Sequence, residues 1–230
     1  MKQGIVRLSI KALIIVLIIR PLIWLLLGVN RYSRLPVPTS GPLIIAPNHN
    51  SHLDTLLLYA ILPLKVALRA RFVAAGDHFG NIPIFSWFLF DFCGMIPVWR
   101  AGKLKSEAEE VKGTGQEFLL HMAKALTEGD VLVLFPEGTR GLPEKRSRLR
   151  KGIAHLAVKF PDVPIYPVFI SGLGKALPRD SFILIPLIPQ IEIQAPILSK
   201  EKLENEVLGE LESAYTAMEK KFAHKDRRVV

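Results

Sequence analysis

The chain has 230 residues, half of them hydrophobic, with a formal net charge of +9 and one cysteine, Cys93. That length bounds it to one domain, or one domain with an appendage. The lone cysteine excludes a disulfide framework and a multi-cysteine metal site, and suits a reducing compartment.

The charge points to an anionic partner. The sequence carries no nucleic-acid motif, internal repeat or low-complexity tract. A phospholipid surface or a phosphorylated substrate is therefore the better match, and no nucleic-acid partner is expected.

The N-terminus sharpens the choice. The first acidic residue is Asp54, preceded by Lys2, Arg7, Lys11, Arg20, Arg31 and Arg34. Residues 12–29 read ALIIVLIIRPLIWLLLGV, 18 residues that are apolar except for Arg20. A spanning helix needs about 20 apolar residues, so length permits a span. Arg20 and Pro21 sit near the middle, however. A charge at the bilayer centre costs ~2.5–3.5 kcal/mol, and proline disrupts the helical ladder. Two short helices bent at Arg20-Pro21 avoid both costs. Such an apolar hairpin would dip into one leaflet, with Arg20 snorkelling to the headgroups and the flanking cations meeting anionic lipid. A signal peptide competes, but no small-x-small cleavage site follows and apolar character resumes after Arg20. A core helix would need covering all round, because the segment has no polar face. Residues 1–35 are thus expected to be a membrane-anchoring segment. Residues 1–30 would hold the chain to membrane phospholipids on the cytoplasmic face, by spanning or by embedding.

From Pro36 the pattern alternates. PVPTSGP is a turn-rich linker and LIIAP a short strand. SHLDTLLLYAIL reads as a helix, VALRARFVAA as a strand and NIPIFSWFLFDF as a buried helix. GMIPVWR is a strand, and Leu104 to Glu128 a long helix stopped by Gly129. DVLVLFPEG is a continuous apolar run that suits a strand buried on both faces. Arg150 to Phe160 is helical, and VPIYPVFISG and QIEIQAPI are strands. Leu203, Val207, Leu208, Leu211, Tyr215, Met218 and Phe222 form one apolar stripe of a last helix. This alternation predicts an α/β domain over 36–223, a mostly parallel or mixed central sheet covered by helices. Residues 224–230 form a basic, mobile tail.

The chemistry begins at NHNSHLD, residues 48–54. Ser51 and Asp54 have the S-x-x-D spacing of a capping box. His49 then lies just outside the helix, where it can fold back on Asp54. On one continuous helix, five residues apart would put them on different faces. As a pair, Asp54 would hold the imidazole tautomer while His49 removes a proton. Pure capping by Asp54 is the bland alternative, worth about 1 kcal/mol. His52 belongs to the helix, and a His-x-x-His pair without further ligands is weak evidence for zinc. No G-x-S-x-G elbow is present. A base without a protein nucleophile suggests that the substrate's own hydroxyl attacks.

Two further clusters follow buried strands. In FPEGTR, residues 135–140, Gly138 permits an unusual turn or a close backbone approach. Glu137 and Arg140 stand at the strand's carboxyl edge, where open α/β sheets bind ligands. An ordinary turn with a surface ion pair is the alternative. In GMIPVWR, residues 94–100, Arg100 is again an arginine at a strand end. Arg100 and Arg140 could fork a phosphate.

These motifs together resemble the phospholipid and glycerol acyltransferase family. NHNSHLD resembles its N-H-x4-D motif, GMIPVWR its second motif, FPEGTR its third in full, and VPIYPV (residues 163–168) its fourth, in the family's order over residues 43–171. The apolar N-terminal hairpin also resembles family members. The resemblance implies His49 as base and Asp54 as its orienting partner. The acceptor hydroxyl would attack the thioester of acyl-CoA or acyl carrier protein. It implies an oxyanion-hole donor, with the backbone near Gly138 as the candidate. It gives Gly94, Arg100 and Arg140 to the acceptor side, with the arginines on its phosphate. Glu137 would position substrate or pair with those arginines, and Pro164 and Ile165 would line the acyl or donor site. No metal or cofactor is implied.

Two positions depart from the pattern. Ala75 stands where members specific for lysophosphatidic acid often carry a lysine, with Arg69 or Arg71 as substitutes. A stretch resembling F-K-x-G reads Leu149, Arg150, Lys151, Gly152. The basic run KRSRLRK, residues 145–151, would contact phosphates or headgroups, or be a solvated turn. The expected activity is acylation of a lysophospholipid, 1-acylglycerol 3-phosphate first, giving phosphatidic acid. Glycerol 3-phosphate or another lysolipid is an alternative acceptor. A thioesterase-like hydrolase and an inactive lipid-binding module are alternatives of other classes.

Overall fold

The structure, a computed structural model, describes residues 2–29, 36–51, 53–75, 94–98, 115–139, 141, 145–176, 185 and 187–226. Its strands are β1 (Leu43–Pro47), β2 (Ala70–Ala75), β3 (Ile96–Val98), β4 (Val131–Val133), β5 (Ile165–Ser171) and β6 (Gln190–Ile193). They form one sheet in the order β3-β2-β4-β1-β5-β6. All neighbours run parallel except β6, which pairs antiparallel with β5. The mostly parallel α/β sheet expected from the alternation is present.

Parallel strands covered on both faces must be apolar on both, and the strand residues divide accordingly. Leu43 and Ile45 of β1 join one core cluster, while Ile44 and Ala46 join the other. Val131 and Val133 of β4 split from Leu132 in the same way. One face is covered by α3 (Asp54–Ile61) and α4 (Leu64–Arg69). The other is covered by α5 (Gly115–Thr127), α6 (Gly152–Lys159) and α8 (Glu204–Asp226), while Leu173 and Ala176 of the four-residue α7 (Leu173–Ala176), at the end of β5, join the first cluster. Val207, Leu211, Tyr215, Met218 and Phe222 of α8 are buried as the stripe requires, but Leu203 is exposed just before the helix begins.

The N-terminal segment differs from the expected hairpin. Helix α1 (Lys2–Ile14) runs through a π-helical turn (Ile15–Ile19) into α2 (Arg20–Leu27) without a break. Pro21 lacks an N–H and crowds the carbonyl four residues earlier. The ladder widens for one turn just ahead of it, with the Arg20 N–H bonding the Ile15 carbonyl. The helix therefore absorbs the proline instead of bending at it.

Arg20 does not snorkel outward either. It is buried, and its Nη2 donates to the Leu62 carbonyl, 2.8 Å away, at the carboxyl end of α3. Lys11 is buried too, donating to the carbonyls of Leu68 and Ala70 at 3.1 and 3.3 Å. Both cations sit where helix ends leave carbonyls without helical donors. Ile15, Ile23 and Leu27 enter the same core cluster as α3 and the sheet. Each such burial stabilises by ~1.5–3 kcal/mol. The helix is thus a layer of the domain. Its outer face remains apolar, and Val6–Leu27 is long and apolar enough to cross a membrane by length and composition.

Other local differences have simple causes. VALRARFVAA divides into α4 and β2, because Pro63 starts a short helix before the strand. The last helix runs on to Asp226, so the first residues of the expected tail are helical. The expected helix in residues 81–92 and the start of the long helix, residues 104–114, lie outside the described residues.

Candidate functional site

Parallel strands put the carboxyl ends of β1 and β4 side by side, with Ile45 in register with Val133. The loops after them therefore meet at one edge of the sheet. Asn48, His49 and Asp54 come from the first loop, Phe135 and Glu137 from the second.

Asn48 extends β1 by one false residue. Pro47 ends the strand, and the buried Asn48 side chain then imitates backbone. Its Nδ2 donates to the Ile170 carbonyl at 3.0 Å, and its Oδ1 accepts from the Ile170 N–H at 2.7 Å. This two-point bond fixes where the chain leaves the sheet, immediately before His49.

His49 Nδ1 lies 2.7 Å from Asp54 Oδ2. The same carboxylate oxygen accepts the N–H groups of Asn50, at 2.9 Å, and Ser51, at 3.0 Å. An oxygen that accepts two amides acts as an acceptor, so Nδ1 carries the proton and donates. That assigns the tautomer by geometry: Nε2 is the basic nitrogen, and no described residue bonds it. The His49 side chain is 20% exposed and Asp54 1%, which leaves the base open to a ligand and its partner sealed. The imidazole also stacks on Phe135, centroids 4.0 Å apart and planes 22° from parallel.

The capping box forms in part: Asp54 opens α3 and reaches back to the Ser51 N–H, while the Ser51 hydroxyl accepts the Leu53 N–H at 3.2 Å. Capping and orientation of His49 are both functions of the one carboxylate. Asp54 Oδ1 and Asn50 Oδ1 are buried with no hydrogen-bond partner among the described residues.

Glu137 lies at the sheet's carboxyl edge as expected, but inside it. It is buried, with Oε1 accepting the His49 N–H at 2.9 Å and Oε2 accepting the Ser147 N–H at 2.6 Å. It braces three segments, and the Gly141 N–H returns a bond to the His49 carbonyl at 2.9 Å. Burial raises its pKa above the ordinary carboxylate value, against the lowering effect of the Ser147 and His49 amides.

Gly138 adopts φ +70°, and its N–H donates to the Phe135 carbonyl at 3.0 Å. That amide is occupied, so Gly138 itself is not the expected oxyanion donor. A Cβ there would lie 3.2 Å from Arg150 Cγ, so its role is to turn the chain and clear Arg150.

Several expected site residues lie elsewhere. Gly94 (φ +68°) precedes the amino end of β3, with Arg71 packed against it. Pro164 precedes β5 and Ile165 begins it, level with Ile44 near the amino edge of the sheet. The Pro164 carbonyl accepts the Ile44 N–H, and Ile165 is fully buried. In a parallel sheet the start of β5 cannot reach the carboxyl end of β1. It is Val168 and Ile170, further along β5, that flank Asn48.

Arg69 is spent on the carbonyls of Thr39, Gly41 and Gly129, and Arg71 on Asp130, 2.8 Å away. Neither substitutes for a lysine at Ala75, on the opposite edge. Arg100, Arg140 and His52 lie outside the described residues. Among the described residues no group of three or more His, Cys, Asp and Glu side chains is placed to hold a metal ion.

The basic run packs against this site. Arg146 is tied to Glu219 at 3.0 Å and lies over the Tyr215 ring, whose buried hydroxyl donates to the Ala46 carbonyl at 2.6 Å. Desolvation raises the Tyr215 pKa. Lys145, Arg148, Arg150 and Lys151 remain exposed.

The acyltransferase family model matches residues 29–171. The mitochondrial glycerol-3-phosphate acyltransferase 1 of Sus scrofa is 32% identical over 142 residues, covering 56% of this chain and 16% of that protein. The human 1-acyl-sn-glycerol-3-phosphate acyltransferase alpha is 29% identical over 137 residues, covering 59% and 42%. This chain thus matches only about a sixth of the former's length and less than half of the latter's. The crystal structure of the 1-acyl-sn-glycerophosphate acyltransferase PlsC from Thermotoga maritima superposes with a TM-score of 0.64 at 22% identity, over 81% of this chain and 68% of that one. That likeness is one of fold.

Proposed function

The chain belongs to the acyltransferase family, and from that premise we propose that it is a membrane-associated O-acyltransferase. It moves a fatty acyl group from a thioester, acyl-CoA or acyl carrier protein, to the hydroxyl of a glycerophosphate lipid. The observation that carries the reading is the His49–Asp54 pair. Nδ1 is held on a sealed carboxylate, while the imidazole stays partly exposed.

Nε2 takes the acceptor's hydroxyl proton as its oxygen attacks the thioester carbonyl carbon. The C–S bond breaks, an ester forms, and the imidazolium returns the proton to the leaving thiolate. Asp54 stabilises the imidazolium meanwhile. The reaction needs no metal or cofactor. Arg100 and Arg140 hold the acceptor's phosphate, and Glu137 acts by positioning His49.

We favour 1-acylglycerol 3-phosphate as acceptor, with phosphatidic acid as product. An acceptor already in the membrane suits a domain whose N-terminal layer has an apolar outer face, and the human relative is named for that substrate. Glycerol 3-phosphate is the second reading, from the name of the Sus scrofa relative. The helix is proposed to lie in the cytoplasmic leaflet instead of crossing it. Lys11, Arg20, Ile15, Ile23 and Leu27 bind it to the domain along its length, and a helix so docked cannot stand clear in a bilayer.

The test is turnover by the purified full chain with labelled acyl-CoA and acyl carrier protein donors. The acceptor panel contains 1-acylglycerol 3-phosphate, glycerol 3-phosphate and other lysolipids. Labelled phosphatidic acid supports the reading, and 1-acylglycerol 3-phosphate formed from glycerol 3-phosphate supports the second. Free fatty acid without acylated lipid makes the protein a hydrolase, and no turnover of any donor makes it a binding module.

A further inference from the structure

We infer that Ile185, Leu187 and Ile188, in the loop leading into β6, form a second membrane-contacting wedge that holds the active-site edge of the sheet against lipid. The inference rests on the membrane reading above and adds a site to it.

The loop exposes three large apolar side chains within four residues: Ile185 at 51%, Leu187 at 36% and Ile188 at 73%. Single exposed apolar residues need no explanation, but a cluster joined to another apolar surface does. This cluster is joined to the helix. Gly28 caps α2 with φ +60°, and a Cβ there would lie 3.1 Å from Ile188 Cγ1. Just before Gly28, Leu25 is 84% exposed, and Ile18 and Leu22 are exposed further back. The outer face of the helix therefore continues into the loop.

The loop is also anchored at the reactive edge. The Ile185 N–H donates to the Ala176 carbonyl at 2.8 Å, and a Cβ on Gly172 would sit 3.7 Å from Pro189 Cα. Gly172 follows β5, two residues beyond Ile170, which holds Asn48 beside His49. Lys175, on α7 at the same corner, is exposed and supplies a cation for anionic headgroups.

The occupant this arrangement fits is the boundary between headgroups and acyl chains. Apolar side chains rimmed by a cation and continuous with an apolar helix face match the interfacial pattern. The consequence is orientation. Contact at both the helix and the loop fixes the carboxyl edge of the sheet at the lipid surface, so a lysolipid need not leave the bilayer for its hydroxyl to reach His49.

The experiment places an environment-sensitive NBD fluorophore at Ile188→Cys or, separately, at Leu25→Cys, each in a full-length Cys93→Ser chain. The vesicles are phosphatidylcholine with phosphatidic acid, with and without nitroxide-labelled acyl chains. Both labels are expected to shift to the blue on vesicle binding and to be quenched by the nitroxide lipids. Quenching at Leu25 but not at Ile188 would overturn the wedge and leave the membrane reading standing. Quenching at neither would overturn both. A blue shift at Ile188 that depends on protein concentration without vesicles would assign the patch to a second copy of the chain and also overturn the wedge. Ile188→Asp, checked for folding by circular dichroism, is expected to weaken vesicle binding at least tenfold. Unchanged binding would count against the inference.

Discussion

Replacing Asp54 with asparagine separates the two functions of that carboxylate. An amide oxygen in the place of Oδ2 can still accept the N–H groups of Asn50 and Ser51, so the loop persists. What is lost is the negative charge beside the imidazolium that forms when His49 takes a proton. With Nδ1 2.7 Å from Oδ2, the charge centres lie about 4 Å apart, worth ~4 kcal/mol at an effective dielectric near 20. Each 1.36 kcal/mol is tenfold, so kcat is expected to fall about 10³-fold with KM little changed. Asp54→Ala removes the acceptor as well and leaves two buried amides without a partner, at ~1–3 kcal/mol each. The two variants should thus share a similar loss of kcat but differ in melting temperature by roughly 4–20 °C. The assay is steady-state release of CoA thiol with acceptor in mixed micelles, beside calorimetry. Asp54→Asn keeping more than a tenth of wild-type kcat would refute the orientation argument, as would equal thermal losses for the two variants.

Glu137→Gln retains one acceptor oxygen for two amides, so a melting-temperature drop of roughly 2–10 °C is expected. The pH dependence has a definite sign. Burial raises the folded pKa of Glu137 above its unfolded value, so its contribution is fully present below the ordinary carboxylate pKa and is lost as pH rises through the folded one. The wild-type advantage over Glu137→Gln should therefore shrink from acid pH to neutrality, and melting curves across that range check it. Asn48→Ala strips both partners from the Ile170 backbone. A loss of ~2–5 kcal/mol is expected, with a fall in kcat larger than any change in KM because His49 shifts. Arg20→Leu leaves the Leu62 carbonyl without its guanidinium. It should cost ~1–3 kcal/mol, where an outward-facing Arg20 would give a gain in vesicle binding and no loss of stability.

What the sequence disclosed followed from periodicity and local spacing. The continuous apolar run that opens at residue 131 suits a strand covered on both faces, and Val131–Val133 is one; LIIAP, read as a short strand, is β1. The five-residue separation of His49 and Asp54 required a junction between strand and helix, and that is where they meet. What stayed hidden depended on direction and on partners distant in sequence. Asn48 bonds a strand 122 residues away, and nothing in NHNSHLD tells a ladder-extending asparagine from a solvated one. Phe135 follows β4 in sequence, and its stacking on His49 needs the β1–β4 register.

Gly94, Pro164 and Ile165 sit next to motif residues in sequence but at the amino ends of their strands. Ile165 is level with Ile44, at the other end of the strand pair from Asn48. Arg20 illustrates the converse. A charge in an apolar run implies an exit to water only if no carbonyl waits inside the fold, and Leu62 supplies one.

The central claim is that His49 is the base that activates the acceptor hydroxyl. Its most direct test is the rate of labelled acyl transfer from acyl-CoA to 1-acylglycerol 3-phosphate by His49→Ala, with folding verified by circular dichroism and acceptor binding measured separately. General-base catalysis contributes ~10²–10⁴-fold. The account predicts a rate at least a hundredfold lower, with acceptor affinity within threefold of wild type. A folded His49→Ala chain that transfers acyl groups at more than a tenth of the wild-type rate would contradict it.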